Sequence, residues 1–356
     1  MPAENMQNES FSPDEPFGYH PPWQTPINPK SLAKLDRLLA SDWELPPELF
    51  SLPPITDRYW AEHVLAALAR HGRLDQADKL RVELRQQGMS HLAVQQPRLI
   101  RSLHHLACTG GTLISKVIAS LPSVALLSEV NPLNRNTDGF HPNNPLLLLE
   151  QGWRPLRHDQ IREAFRADID QAIRFTAEAD HDLVLRDHSH SDFCRGTDPQ
   201  QHVLLLSWLS PQHRFRSLRT LRHPLDSWLA LVHAGWHVQF TPSTLLEYCR
   251  RQHAFLDATE AMPELHYEDF CAAPLDGLEQ ICDALLLPFN ASALKRFGSV
   301  HLSGDSGRQA INEIILRPRR PIPDRVRAEL ADPASYQGLC DLCDRMGYTV
   351  GSASLQ

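Results

Sequence analysis

The sequence predicts an α/β fold, a parallel sheet flanked by helices, with a helical appendage in front of it. Three observations lead there. From residue 96 onward, short apolar runs alternate with amphipathic helical patterns, the order of elements that builds parallel strands covered on both faces. A glycine-bearing turn, Cys108-Thr109-Gly110-Gly111-Thr112, stands between the first such strand and a helix. The composition is that of a globular chain, with 42% of the 356 residues hydrophobic and 22% charged, enough to bury a large core.

Taken in order, residues 1–30 hold seven prolines, four acids and one base. Such a stretch cannot bury enough apolar surface to order itself, so it reads as a disordered Pro-rich tail. Residues 31–95 read as a helical hairpin. Trp60, Val64 and Leu68 recur every four residues as far as Gly72, and Leu74, Ala77, Leu80 and Leu84 resume the pattern up to Gly88. The α/β domain then spans 96–350. Its first strand is 97–107, followed by a helix near 112–121 and a second strand at 123–127. Ile161, Phe165, Ile169 and Ile173 mark a long amphipathic helix. Strands are expected at 182–186 and 217–222; the run 203–209 can be read as strand or helix. Leu225, Trp228, Leu229 and Val232 mark another helix, 264–268 the last strand, and 275–286 a helix behind it.

The formal net charge of −8 argues against general nucleic-acid binding, since a phosphate backbone attracts a basic face. No apolar run approaches the roughly 18 residues of a membrane span. The first ten residues, MPAENMQNES, lack the basic-then-apolar pattern of a signal peptide, and the seven cysteines are odd in number and sparse. The expectation is a cytoplasmic protein with reduced thiols. Cys340 and Cys343, at i, i+3 on a helix, read as core thiols. His104-His105 and His188-x-His190 have no cysteine or carboxylate partner at convincing metal spacing, so no metal is expected.

In parallel α/β sheets ligands bind beyond the carboxyl ends of the strands. The loop at 108–112 lies at such an end. Two glycines let backbone N–H groups turn toward an anion, and a helix N-terminus directly behind adds orphan donors and a positive dipole end. The loop matches neither the G-x-x-x-x-G-K-[ST] pattern nor the G-x-G-x-x-G fingerprint.

Further segments follow in order: Pro122-Ser123-Val124 with Ser128-Glu129; Arg186-Asp187-His188 at the end of a strand; Arg222-His223-Pro224-Leu225-Asp226-Ser227; His266-Tyr267-Glu268-Asp269; and Ser303-Gly304-Asp305-Ser306-Gly307-Arg308. Together with the loop, this series resembles the sulfotransferase family, in its bacterial and tyrosylprotein branch, over about residues 96–330. The resemblance implies a fold like that of phosphate-loop nucleoside triphosphatases and 3′-phosphoadenosine 5′-phosphosulfate as sulfuryl donor, without a metal. It implies that Thr109, Gly110, Gly111, Thr112 and Leu113 cradle the donor, that Arg222 and Ser227 meet its 3′-phosphate, and that Ser306 and Arg308 close over it. Lys116, four residues after Thr112 on the same helix face, is the candidate to replace the basic residue that opens the family's loop, which is Cys108 here; Ala230 stands where the family has a serine.

Sulfuryl transfer, like phosphoryl transfer, needs in-line geometry, charge stabilisation and a base. Arg186 and Lys116 are the candidate cations. Glu129 and His188 compete for the role of base, with Glu129 favoured and His188 orienting the acceptor. The acceptor would be a small molecule, carbohydrate or peptide bearing a hydroxyl or amine. The hairpin and residues 131–180 are expected to shape its site. The Arg317, Arg319, Arg320 and Arg325 run reads as a solvated basic loop. Two other readings stay open: a non-catalytic binding protein of the same fold, and a phosphate-loop kinase.

Overall fold

The computed structural model describes residues 58–87, 99–133, 152, 154–302 and 313–350. The predicted tail, the start of the hairpin, and Ser306 and Arg308 lie outside the described residues. In chain order the elements are α1 (Arg58–Arg70), α2 (Leu74–Gln86), β1 (Leu99–His104), α3 (Gly111–Ala119), β2 (Val124–Val130), α4 (His158–Glu178), β3 (Asp182–Asp187), α5 (Ser189–Phe193), α6 (Leu204–Leu209), β4 (Arg214–Leu221), α7 (Pro224–His233), α8 (Leu245–Ala258), β5 (Glu264–His266), α9 (Tyr267–Ala272), α10 (Pro274–Leu285), α11 (Ala293–Arg296), α12 (Asp324–Ala331) and α13 (Pro333–Arg345).

The five strands form one sheet in the order β2-β3-β1-β4-β5, parallel at every pairing. The connection leaving β1 runs toward β2 and that leaving β4 runs toward β5. The carboxyl ends of β1 and β4 therefore flank a switch point, where a parallel sheet opens a crevice. Alternate side chains sort to opposite faces. Ile100, Leu183, Leu185 and Leu221 pack in one core with Trp228 and Phe255, whereas Leu103, Val184 and Leu218 pack in the other with Ile114, Phe270 and Ile281. Both faces of the sheet are thus covered. Ser102 and Ser217, paired across β1 and β4, share a 2.7 Å hydroxyl hydrogen bond.

The run 203–209 is helical from Leu204 on: α6 lies in the cross-over between β3 and β4 rather than in the sheet, with Leu204, Leu205, Trp208 and Leu209 buried. A continuous apolar run does not distinguish a buried helix from a buried strand.

The hairpin α1–α2 is fastened to the amino-terminal end of the sheet. Arg85 meets Asp182 at 2.5 Å and Asp180 at 3.3 Å, and Arg214 at the start of β4 meets Asp78 at 2.8 Å. Arg101, only 1% exposed, also reaches Asp182 at 3.0 Å and donates to the carbonyls of Leu285 and Leu286. Asp182 so neutralises several guanidiniums, and burial still pulls Arg101 down to about 10. The described part of the hairpin therefore packs at the amino-terminal end of the strands, while residues 31–57 and 88–95 lie outside the described residues. Among the described residues, neither α1–α2 nor α4 lines the cavity at the opposite, carboxyl end of the strands.

Candidate active site

A cavity of about 360 Å³ opens at the carboxyl ends of the strands, between the β1–α3 loop, β2, β3 and the start of α7. Gly110, Gly111, Thr112, Leu113, Lys116, Glu129, Arg186, His188 and Arg222 all line it.

The loop is shaped by what its glycines leave out. Gly110 has φ +90° and forms the N-cap of α3, and a Cβ there would collide with the Tyr267 ring. A Cβ on Gly111 would collide with the His105 ring. Cys108 is also left-handed, at φ 67°, a conformation that costs a non-glycine residue about 1–3 kcal/mol and persists where the surroundings impose it. Its carbonyl accepts from Arg222 Nη1 at 3.0 Å. Arg222 lies over the Tyr267 ring at 5.0 Å, and its Nε is buried without a hydrogen-bond partner among the described residues. Tyr267 belongs to the His-Tyr-Glu-Asp segment. The next residue, Glu268, accepts from the His223 N–H at 3.1 Å and from the Tyr348 hydroxyl at 2.6 Å. That clamps the start of α7, where His223 Nδ1 accepts from the Leu225 N–H and Pro224 opens the helix.

Glu129 reaches the cavity because β2 is bulged. Leu127 pairs with Leu185, but Val130 pairs with Asp187, so β2 carries one extra residue there, and Glu129 takes φ 61°. Such a bulge re-aims a side chain. Here it turns Ser128 and Glu129 together toward Arg186. Arg186, 3% exposed, donates from Nη1 to Ser128 Oγ at 2.9 Å. Its Nη2 serves both Thr112 Oγ1 at 3.0 Å and Glu129 Oε1 at 2.9 Å. The other carboxylate oxygen of Glu129 lies 3.2 Å from His188 Nε2, and His188 Nδ1 is 2.7 Å from Ser191 Oγ. One guanidinium therefore joins the glycine loop to the Glu129–His188 pair.

Burial sets the protonation of this cluster. It raises Glu129 above the ordinary carboxylate value, against the pull of Arg186 and with help from Asp187. It lowers His188 to about 4, with Arg195 and Arg186 adding repulsion. His188 is consequently neutral at physiological pH, its Nε2–H donating to Glu129 and its Nδ1 accepting from Ser191.

Not every residue expected at the site faces the cavity. Thr109 is buried and donates its hydroxyl to the Leu106 carbonyl at 2.7 Å, which braces the turn. Leu113 lines the cavity, but its N–H turns back to the Gly110 carbonyl at 3.0 Å. Ser227 is fully buried and lies off the cavity wall, in the first turn of α7, five residues after Arg222. The basic run is not simply solvated. Arg319 grips Asp226 with two hydrogen bonds, at 2.8 and 3.1 Å, and Arg317 lines the cavity. Sequence reasoning missed His105, Ser128 and Tyr267 as site residues. Tyr267 and Ser128 both stand in segments that carry the resemblance, but the aim of Ser128 toward Arg186 depends on the bulge in β2. Among the described residues, no group of three or more metal-ligating side chains occurs and no helix is long and apolar enough to cross a membrane.

No family model and no curated protein matches the chain. Among solved structures, it is similar to the sulfotransferase domain of the Synechococcus PCC 7002 olefin synthase, at 17% identity and a TM-score of 0.46 over 72% of this chain and 97% of that one. It is similar to the sulfotransferase domain from the curacin biosynthetic pathway at 15% identity and 0.43, over 72% and 100%. A mouse sulfotransferase complexed with PAP gives 12% and 0.36, over 73% and 89%. Whole-chain likeness of this strength carries no argument about activity; the side chains of the cavity must carry it.

Proposed function

We propose that this protein is a sulfotransferase that moves a sulfuryl group from 3′-phosphoadenosine 5′-phosphosulfate to a hydroxyl or amine acceptor. The observation that supports this reading best is Arg186, which touches phosphate-loop Thr112 and Glu129 through the same nitrogen. An anion cradle and a candidate base then lie within the span of one guanidinium. The cavity also fits a polyanionic donor. Arg222 Nε is buried without a partner among the described residues, the glycine loop leaves backbone room, and Lys116 and Arg317 add positive charge to the wall.

When bound, the donor supplies a sulfonate that an acceptor oxygen or nitrogen attacks in line as the phosphate leaves. The chain's part is positioning and charge. Arg222 offers a planar fork to a phosphate group. Lys116 and Arg186 meet the charge that accumulates on the leaving oxygen. Glu129 takes the acceptor's proton, and the neutral His188 holds the carboxylate through its Nε2–H. Nothing in these roles calls for a metal. The cysteines carry no disulfide, which suits a reducing compartment such as the cytoplasm.

Titration of the purified protein with 3′-phosphoadenosine 5′-phosphate, by calorimetry and thermal shift, tests the reading. At a hundred times the dissociation constant, a bound ligand stabilises the fold by about 2.7 kcal/mol. Binding weakened at least about tenfold in Arg222→Ala, together with transfer of labelled sulfonate by the wild-type protein to a phenol, alcohol or amine panel, supports the enzyme. A second reading rests on Cys108 and Ala230, both on the cavity wall where the family resemblance leads one to expect a base and a serine: nucleotide binding without turnover marks a binding protein. Failure to bind together with magnesium-dependent ATP hydrolysis would instead point to a kinase.

A further inference from the structure

His105 lies between the glycine loop and Arg186. Arg186 Nε donates to His105 Nε2 at 2.9 Å, so that nitrogen bears no proton. The proton sits on Nδ1, which donates to the Leu106 carbonyl at 3.0 Å. The two contacts demand the same tautomer, and the backbone carbonyl selects it. Burial, reinforced by the Arg186 charge, pushes His105 down to about 3, so the imidazole stays neutral and able to accept. The ring's Cδ2–Nε2 edge faces Gly111 so closely that no Cβ fits between them. His105 thus touches the first turn of α3 on one side and the guanidinium on the other, and is 8% exposed.

We propose that His105 is a positioning residue, a neutral wedge between the phosphate loop and Arg186 that fixes the plane of the guanidinium. The proposal rests on the sulfotransferase reading for its effect on turnover, but not for its effect on geometry. A guanidinium held only at its two terminal nitrogens can still tilt about the line joining them; a fourth hydrogen bond, at Nε, holds the third nitrogen and fixes the plane. With Nε held, Nη2 faces Thr112 and Glu129 together and Nη1 faces Ser128. Gly111 is small because the wedge needs the space, not only because the backbone approaches a ligand.

The test compares His105→Phe, which fills the space without an acceptor, with His105→Gln, whose amide oxygen can accept from Nε. Expected for His105→Phe are an Arg186 guanidinium turned away from Thr112 in the crystal structure, a dissociation constant for 3′-phosphoadenosine 5′-phosphate within about threefold of wild type, and a kcat at least about tenfold lower, as for a misplaced catalytic group. His105→Gln should restore part of kcat. An unmoved Arg186, or a wild-type kcat in His105→Phe, overturns the proposal. If the wild-type protein transfers no sulfonate at all, the sulfotransferase reading fails, whereas the crystallographic position of Arg186 still decides the wedge. If His105→Phe does not fold, a double-mutant cycle decides. Gly111→Ala should lower Tm in the wild type but shift it by no more than about 2 °C in a His105→Ala background; additive effects overturn the wedge.

Discussion

Replacing Glu129 with Gln separates proton transfer from positioning. The carboxylate spans two partners, Arg186 Nη2 at 2.9 Å and His188 Nε2 at 3.2 Å. Gln is nearly isosteric. Its amide oxygen can still accept from Arg186, and its NH₂ can face His188, provided the imidazole shifts its proton to Nδ1. That shift is open to it, because the Ser191 hydroxyl 2.7 Å from Nδ1 can accept as readily as it donates. The ground-state geometry is therefore kept while the base is removed. A positioned base contributes about 10²–10⁴ in rate, equivalent to roughly 3–5 kcal/mol of barrier. kcat should fall by that factor with donor affinity nearly unchanged. The acid limb of the wild-type profile should follow the same group. Glu129 acts only when ionised, and burial raises it above the usual 4.5, so kcat is full above this raised value and lost as pH falls through it. No second inflection from His188 is expected near 6–7, because that group is held down to about 4. The assay is steady-state sulfonate transfer between pH 4.5 and 9. Turnover within about threefold of wild type in Glu129→Gln, with turnover lost in His188→Ala, would reverse the two roles.

Other expectations follow from the same contacts. Arg222→Ala should weaken binding of 3′-phosphoadenosine 5′-phosphate by about 10–150-fold in calorimetry, the loss of charge-assisted hydrogen bonds worth about 1.5–3 kcal/mol. Gly110→Ala should lower the melting temperature and abolish nucleotide binding, since φ is +90° and the new methyl meets the Tyr267 ring. Asp182→Ala leaves Arg101, 1% exposed, without its carboxylate, and should cost about 3–5 kcal/mol in urea unfolding. His105 and His190 are both buried and pushed down to about 3. A histidine depressed in the folded state contributes stability above its unfolded value near 6.5, and loses it as pH falls. Urea midpoints should therefore drop steadily below pH 6.5, and less steeply in His190→Gln.

Much of the fold could be read from local pattern. The strand at 182–186, buried along its whole length, shows as a continuous apolar run because both faces of a parallel sheet are covered, and the helices around 111–119 and 274–285 match their apolar period; the strand expected at 264–268 ends at His266, where Tyr267 opens α9. Gly110 and Gly111 were legible as a loop because a left-handed residue before a helix leaves few choices of side chain. What could not be read was whatever depended on a neighbour distant in sequence. The run 203–209 carries no period, so only its packing in the β3–β4 cross-over settles it as helix. Ser227 sits in a motif, yet the rotation of α7 turns it into the core. Glu129 could be named as a candidate, but its meeting with Arg186 follows from one extra residue in β2, a bulge invisible without the register against β3. His105 was one of nineteen histidines in the sequence; its role depends on a guanidinium 81 positions away. Residue chemistry and period are properties of the chain alone, whereas burial, tautomer and shared hydrogen bonds arise only when the strands assemble.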